Sequence, residues 1–207
     1  MVRTAASLNA SLDALGRIEP GFARVLDTHG RPEPRRHDPG VETLLRTIVG
    51  QQVSVAAARS MWTKLAAKYG EPVDLAALLG ASDEQLREAG LSRQKAGYAR
   101  SLAGLVLAGE LDLSRLPADD EEAIELLTRI KGIGRWSAEI YLLFAEGRSD
   151  VWPAGDLAVQ IEVGRLLGLP DRPSEKQLRA LAEAWRPHRG AAAVLAWHSY
   201  NNAGSAL

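Results

Sequence analysis

The sequence predicts an all-α protein on three observations. Apolar residues recur at spacings of three and four, as in Leu44, Leu45, Ile48 and Val49 and again in Leu102, Leu105 and Val106. Alanine and leucine dominate, and aromatic residues make up only 5% of the chain. No stretch alternates apolar and polar residues in the way a half-buried strand does.

The predicted helices lie near 5–16, 20–29, 40–51, 54–69, 83–89, 93–108, 120–130, 135–146, 157–168, 175–184 and 188–201, separated by short Gly, Pro, Ser or Asp stretches. The third carries the apolar face of Leu44 to Val49, and the sixth that of Leu102 to Val106. Leu127 and Ile130 bury one face of the helix ending near 130, and Ala138 with Ile140 begins the apolar side of the next. Asp156 stands before the run Leu157 to Leu167 as a favoured N-cap. The Pro-rich, charged run "GRPEPRRHDPG" at 30–40 reads as a linker, and "EGRSDVWPAGD" at 146–156 as a second break.

A length of 207 residues suits one domain or two small lobes with a real core. With no cysteine, disulfides, thiol nucleophiles and cysteine-held zinc or iron-sulfur clusters are excluded, and a cytoplasmic location is expected. The first twenty residues lack a signal-peptide core, and no segment approaches a membrane span, so no membrane anchor is expected. His29, His37, His188 and His198 show no metal-ligand pairing, which predicts no zinc. A net charge of −1 argues against coating nucleic acid by bulk electrostatics, so any nucleic-acid site must be local.

Such a site is suggested by "LLTRIKGIGRWSAEIYLLF" at 126–144, where Gly132 and Gly134 turn the chain between two helical segments. Glycine permits φ > 0 and close approach of another backbone, and the new helix opens with unpaired N–H groups at its positive dipole end. That corner suits a phosphate, with Lys131 and Arg135 as flanking positive charges. A plain glycine-capped corner between helices is the alternative.

Together, "IKGIGRWSA", "DVWPAGDLAVQIEVGRLLG", "LLRTIVGQQVSVAAARSMWTKLAAKYG", "GLSRQKAGYARSLAGLV" and "WRPHRGAAAVLAW" run in one consistent order across roughly residues 40 to 200. They resemble the helix-hairpin-helix DNA glycosylase superfamily, most closely its AlkA-type 3-methyladenine DNA glycosylase II branch, in a short form without the N-terminal β domain of some relatives. The resemblance implies two helical lobes with the DNA and lesion site in the cleft between them. One lobe would be 40–147, carrying the helix-hairpin-helix at 126–144; the other would be 1–39 plus 148–207.

The resemblance further implies a monomeric base-excision repair enzyme that flips alkylated purines such as 3-methyladenine and 7-methylguanine out of double-stranded DNA and hydrolyses their N-glycosidic bond. Asp156, twenty-two residues beyond Gly134, matches the catalytic carboxylate, while Asp150 reads as a loop or surface acid. Trp136 and Trp197 match pocket tryptophans, Ile140 replaces a pocket Tyr and His188 a Trp, and Trp152 is a candidate for the pocket rim. Bifunctional members carry a nucleophilic Lys where this chain has Trp136, so a monofunctional enzyme is implied. Trp62 and Trp185 read as core.

Gln51 and Gln52 match the segment that fills the gap left by the flipped base; Gln52 stands at the position of an apolar wedge, implying a polar plug and a less kinked duplex. Arg93, Lys95 and Arg100 form a basic helix start that suits either a second phosphate or a plain solvated face. The family's hairpin also binds sodium or potassium through main-chain oxygens, here those of Thr128, Ile130 and Ile133. Two rivals stay open: a non-catalytic DNA-binding module, and a glycosylase for oxidised or deaminated bases.

Overall fold

A computed structural model describes residues 4–203. Among them the chain forms twelve α-helices, one π-helical turn, one 3-10 turn and no strand. It divides into two compact units, Asp38–Tyr141 and the combination of Met1–His37 with Leu142–Leu207. The extreme ends expected in the second unit, 1–3 and 204–207, lie outside the described residues.

The unit formed by both ends of the chain begins with α1 (Ala5–Ile18) and α2 (Pro20–His29), joined by Glu19 alone. Glu19 ends the first helix and caps the second, its side chain accepting from Gly21 N at 3.1 Å, while Pro20 supplies a preset first helical φ. α10 (Leu157–Leu166), α11 (Glu175–Leu181) and α12 (Arg189–Ala203) complete the unit. α12 packs against α1, α2 and α10, and its run Gly190 to Ala196 is buried throughout, small side chains letting three helices approach one.

The unit Asp38–Tyr141 is built around α7 (Arg93–Leu107), which packs against α3 (Val41–Gly50), α5 (Leu75–Gly80) and α6 (Asp83–Glu88). α4 (Val55–Tyr69) lies on α3 and α5, and α8 (Asp120–Thr128) on α9 (Arg135–Tyr141). Leu44, Leu45, Ile48, Leu65, Leu78 and Leu102 are fully buried, in keeping with the apolar spacing of the sequence. Ser54, Asp74, Ser82, Ser92 and Asp119 each cap a helix with a side-chain oxygen, at about 1 kcal/mol apiece.

Three elements depart from the sequence expectation. A short helix over Leu75–Gly80 had no counterpart in it; six residues are too few for a helical period to show, and the Asp74 side chain, accepting from Ala76 N and Ala77 N, holds it. The helix expected over 135–146 is α-helical only to Tyr141 and then widens into a π-turn over Leu142–Glu146. The last helical stretch near 184 is a 3-10 turn, Ala182–Trp185. Among the described residues, no helix is long and apolar enough to cross a membrane.

Candidate active site

Asp156 ends a tight turn in which Ala154 N donates to Trp152 O at 2.8 Å and Asp156 N to Pro153 O at 3.0 Å. Its extended backbone (φ −73°, ψ 125°) makes it the N-cap of α10. One carboxylate oxygen, Oδ1, accepts from Val159 N at 3.0 Å and from Trp197 Nε1 at 3.1 Å. Two donors from separate helices thus fix one half-buried carboxylate. Trp197 is itself steadied on α12 by the Phe144 ring of the π-turn, 5.8 Å away between centroids.

The hairpin belongs to the other unit. Ile130 and Ile133 are buried, and Gly132 reverses the chain at φ +83°. Any other residue is disfavoured there, because the backbone is left-handed and an added Cβ would lie 2.2 Å from Tyr98 Cδ2 unless the ring moved. Gln51 Nε2 donates to Gly132 O at 2.8 Å and Lys131 N to Ser101 Oγ at 3.1 Å, so the turn is held from α3 and α7. Gly134 differs: its φ is ordinary and an added Cβ would meet no atom within 4 Å. Nothing within the fold calls for glycine at that exposed position, which faces open space just before the first turn of α9.

A family model described as HhH-GPD superfamily base excision DNA repair protein matches residues 45–187. The chain belongs to this superfamily. It is 31% identical over 196 residues to DNA-3-methyladenine glycosylase 1 of Schizosaccharomyces pombe, covering 88% of this chain and 83% of that protein. To DNA-3-methyladenine glycosylase 2 of Escherichia coli it is 32% identical, over 93% of this chain and 65% of the relative. The chain spans 57% of the length of one Bacillus subtilis relative. Among solved structures, S. pombe 3-methyladenine DNA glycosylase Mag1 in complex with abasic DNA superposes with a TM-score of 0.75 at 27% identity, over 94% of this chain and 97% of that one.

Within this HhH-GPD chain, Asp156 and Trp197 are hydrogen-bonded to each other, while Trp136, Ile140, Gln51, Gln52 and the hairpin glycines all lie in the unit Asp38–Tyr141. Trp136 is 48% exposed on α9, with the partly buried Ile140 one turn further along the same face. Gln52 is exposed and adopts φ +54°, the one positive φ outside glycine among the described residues. Lys131 is exposed and makes no ion pair among the described residues. Arg93 is exposed at the first turn of α7.

Several expectations need correction. Trp152 does not line a rim: it is 3% exposed, its Nε1 donates to Leu178 O at 3.3 Å, and its ring meets Trp185 edge-on at 5.5 Å, so it is core. Arg135 is not a mobile cation for phosphate, since Nε donates to the buried Glu139 at 3.0 Å and the guanidinium also pairs with Glu121. Those two carboxylates push its pKa up, the Glu121 hydrogen bond most of all. Lys95 does not reach outward either; it is 9% exposed with Nζ on Val49 O at 2.7 Å. Arg100 is spent on Asp83 and Ala81 O. Asp150 does sit in a loop, where its carboxylate accepts from both Arg186 and Arg189.

Tyr98 and Phe144 were missed by sequence reasoning. Each matters through one partner far away in the chain, Gly132 or Trp197, and a lone aromatic residue in a helix carries no mark of that partner. Among the described residues no cluster of three or more His, Cys, Asp or Glu could hold a metal ion.

Proposed function

We propose that this chain is a monofunctional DNA glycosylase of base-excision repair that releases alkylated purines, 3-methyladenine and 7-methylguanine, from double-stranded DNA and leaves an abasic site. The observation that carries the reading is the Asp156 carboxylate, fixed at the head of α10 by Val159 N and Trp197 Nε1, in a chain of the HhH-GPD superfamily. The names of the S. pombe and E. coli relatives support the alkylated-base assignment.

Breaking the C1′–N bond leaves its electron pair on the base and positive charge on the deoxyribose. A preset anion stabilises that charge without reorganising, as in glycoside hydrolysis. Alkylated purines are cationic before cleavage and depart neutral, so no general acid is required of the enzyme. Water then adds to C1′ and gives up its proton to Asp156 or to solvent. The target atom is out of reach in a stacked duplex, so the nucleotide is flipped out, at a cost of a few kcal/mol that is smallest for a damaged pair. Trp136, half exposed on α9, offers an aromatic face of the kind a cationic ring prefers. With Trp136 at the position of the lyase lysine, the strand is not cut.

DNA would be held at the hairpin by main-chain N–H groups around the open Gly134, with Lys131 as the available cation. The hairpin carbonyls of Thr128, Ile130 and Ile133 are uncharged hard oxygens, a donor set that fits sodium or potassium; such an ion would add positive charge beside the phosphate. The protein would act as a monomer in the cytoplasm, on DNA.

The test is single-turnover release of 3-methyladenine and 7-methylguanine from methylated DNA by the wild type and by Asp156→Asn. Asparagine caps a helix as well as aspartate does, so the variant removes charge and leaves the fold intact. Release should fall at least about a hundredfold, with strand breaks appearing only after alkali. Release by Asp156→Asn at the wild-type rate, or breaks before alkali, would refute the reading. A wild type that binds DNA but releases no base would favour a non-catalytic DNA-binding module.

A further inference from the structure

The turn between α3 and α4 rests on a buried ammonium. Lys95 belongs to the first turn of α7, yet its Nζ donates to the carbonyl of Val49 in the last turn of α3. The final carbonyls of a helix lack intrahelical donors and carry partial negative charge, so a cation there is favourable. α7 therefore caps α3 through Lys95. Immediately beyond the cap, Gln51 is extended (φ −60°, ψ 131°) and Gln52 left-handed, before Ser54 starts α4 by accepting from Ala57 N.

A left-handed glutamine costs about 1–2 kcal/mol and persists only where its neighbours impose it. Here they do so from three sides: Lys95 on Val49 O, Gln51 Nε2 on Gly132 O, and Ser54 on the next helix. The turn, α7 and the hairpin together line an open cavity of about 670 Å³ that includes Gln51, Gln52, Lys95, Tyr98, Gly132 and Trp136. Burial disfavours the ammonium and pushes the Lys95 pKa down from its usual 10.5. No ion pair to Lys95 forms among the described residues. A buried cation held by one carbonyl is an expensive way to fill space that a methionine could fill.

We propose that Lys95 is a positioning residue that holds Gln52 in its left-handed conformation, ready to fill the duplex where a nucleotide is missing or flipped. This rests on the DNA glycosylase reading. It assigns to α7 a role in recognising damaged DNA through a side chain turned into the fold.

The experiment compares affinity for a duplex containing an abasic site with affinity for the same duplex undamaged, in the wild type, Lys95→Met, Gln52→Ala and the double variant, with urea unfolding of each. Lys95→Met should lose roughly ten- to a hundredfold in the preference for abasic over undamaged DNA, the worth of one hydrogen bond to a charged group. Binding to undamaged DNA should stay within about threefold of wild type, and the double variant should lose no more than either single one. A loss shared equally by both duplexes would mean a merely structural lysine and overturn the inference, as would additive losses in the double variant. If Lys95→Met does not fold, Lys95→Gln is read by the same ratio. A wild type with no preference for abasic DNA would overturn the inference while base release still tests the glycosylase reading separately; absent base release with the preference intact would overturn that reading alone.

Discussion

Replacing Gly132 with alanine should be among the most damaging single-methyl changes in the hairpin, and the cost divides into two separable parts. At φ +83° an L residue pays about 1–2 kcal/mol for the left-handed backbone. The new Cβ would also lie 2.2, 2.4 and 2.5 Å from Cδ2, Cε2 and Cγ of Tyr98, where ordinary contact begins at 3.4 Å, so the ring must retreat by more than 1 Å. Retreat of the ring would strain the 2.6 Å bond that Tyr98 Oη accepts from Gln94. Overpacking of this kind costs about 1–3 kcal/mol. Set against a gain of about 0.4–1 kcal/mol from a stiffer unfolded chain, the net loss should be about 1–5 kcal/mol, centred near 3. Urea unfolding followed by circular dichroism measures it, with Tyr98→Ala and the double variant closing the cycle. In the Tyr98→Ala background, Gly132→Ala should cost only the backbone part, about 1 kcal/mol. A Gly132→Ala protein within 0.5 kcal/mol of wild type, or an equal cost with and without Tyr98, would show that the ring does not enforce glycine there.

Gly134→Ala should behave in the opposite way, unfolding at the same or slightly higher urea because its φ is ordinary and its Cβ meets nothing, while duplex DNA affinity drops severalfold; unchanged affinity would mean that no backbone approaches there. Trp197→Phe keeps an aromatic ring against Phe144 but removes the Nε1 bond to Asp156, so single-turnover base release should slow by roughly tenfold. An unchanged rate would show that the tryptophan packs without orienting the carboxylate. The Glu183 carboxyl, hydrogen-bonded by Arg186, titrates below its ordinary 4.5 in the folded protein. Its contribution to stability is thus present above that pH and lost as pH falls through the folded value. Glu183→Gln should make the acid limb of the stability profile shallower, and a limb identical to wild type would remove Glu183 from the account.

The catalytic candidate and the hairpin were legible because both are encoded locally. Asp156 stands directly before an apolar helical run, and Gly132 and Gly134 interrupt one, so capping and turn chemistry mark them within a few residues. The cations were misread for the complementary reason. Arg135, Lys95 and Arg100 look alike in sequence to Lys131 and Arg93, and what separates them is whether a carboxylate or carbonyl from elsewhere lies within reach. Trp152 and Trp136 divide in the same way, one sealed against Trp185 and the other half exposed.

The sequence by itself determined the all-α class, most of the helices, the glycine hairpin and the one carboxylate read as a helix cap, because helical period, capping and backbone permissiveness act over a few residues. Tertiary structure alone decided that Tyr98 compels glycine at 132, that Trp197 holds Asp156, that Lys95 turns inward to cap α3 and that Arg135 is already paired. Each of those depends on a partner from another helix, and burial and hydrogen bonding between distant segments exist only once the chain has packed.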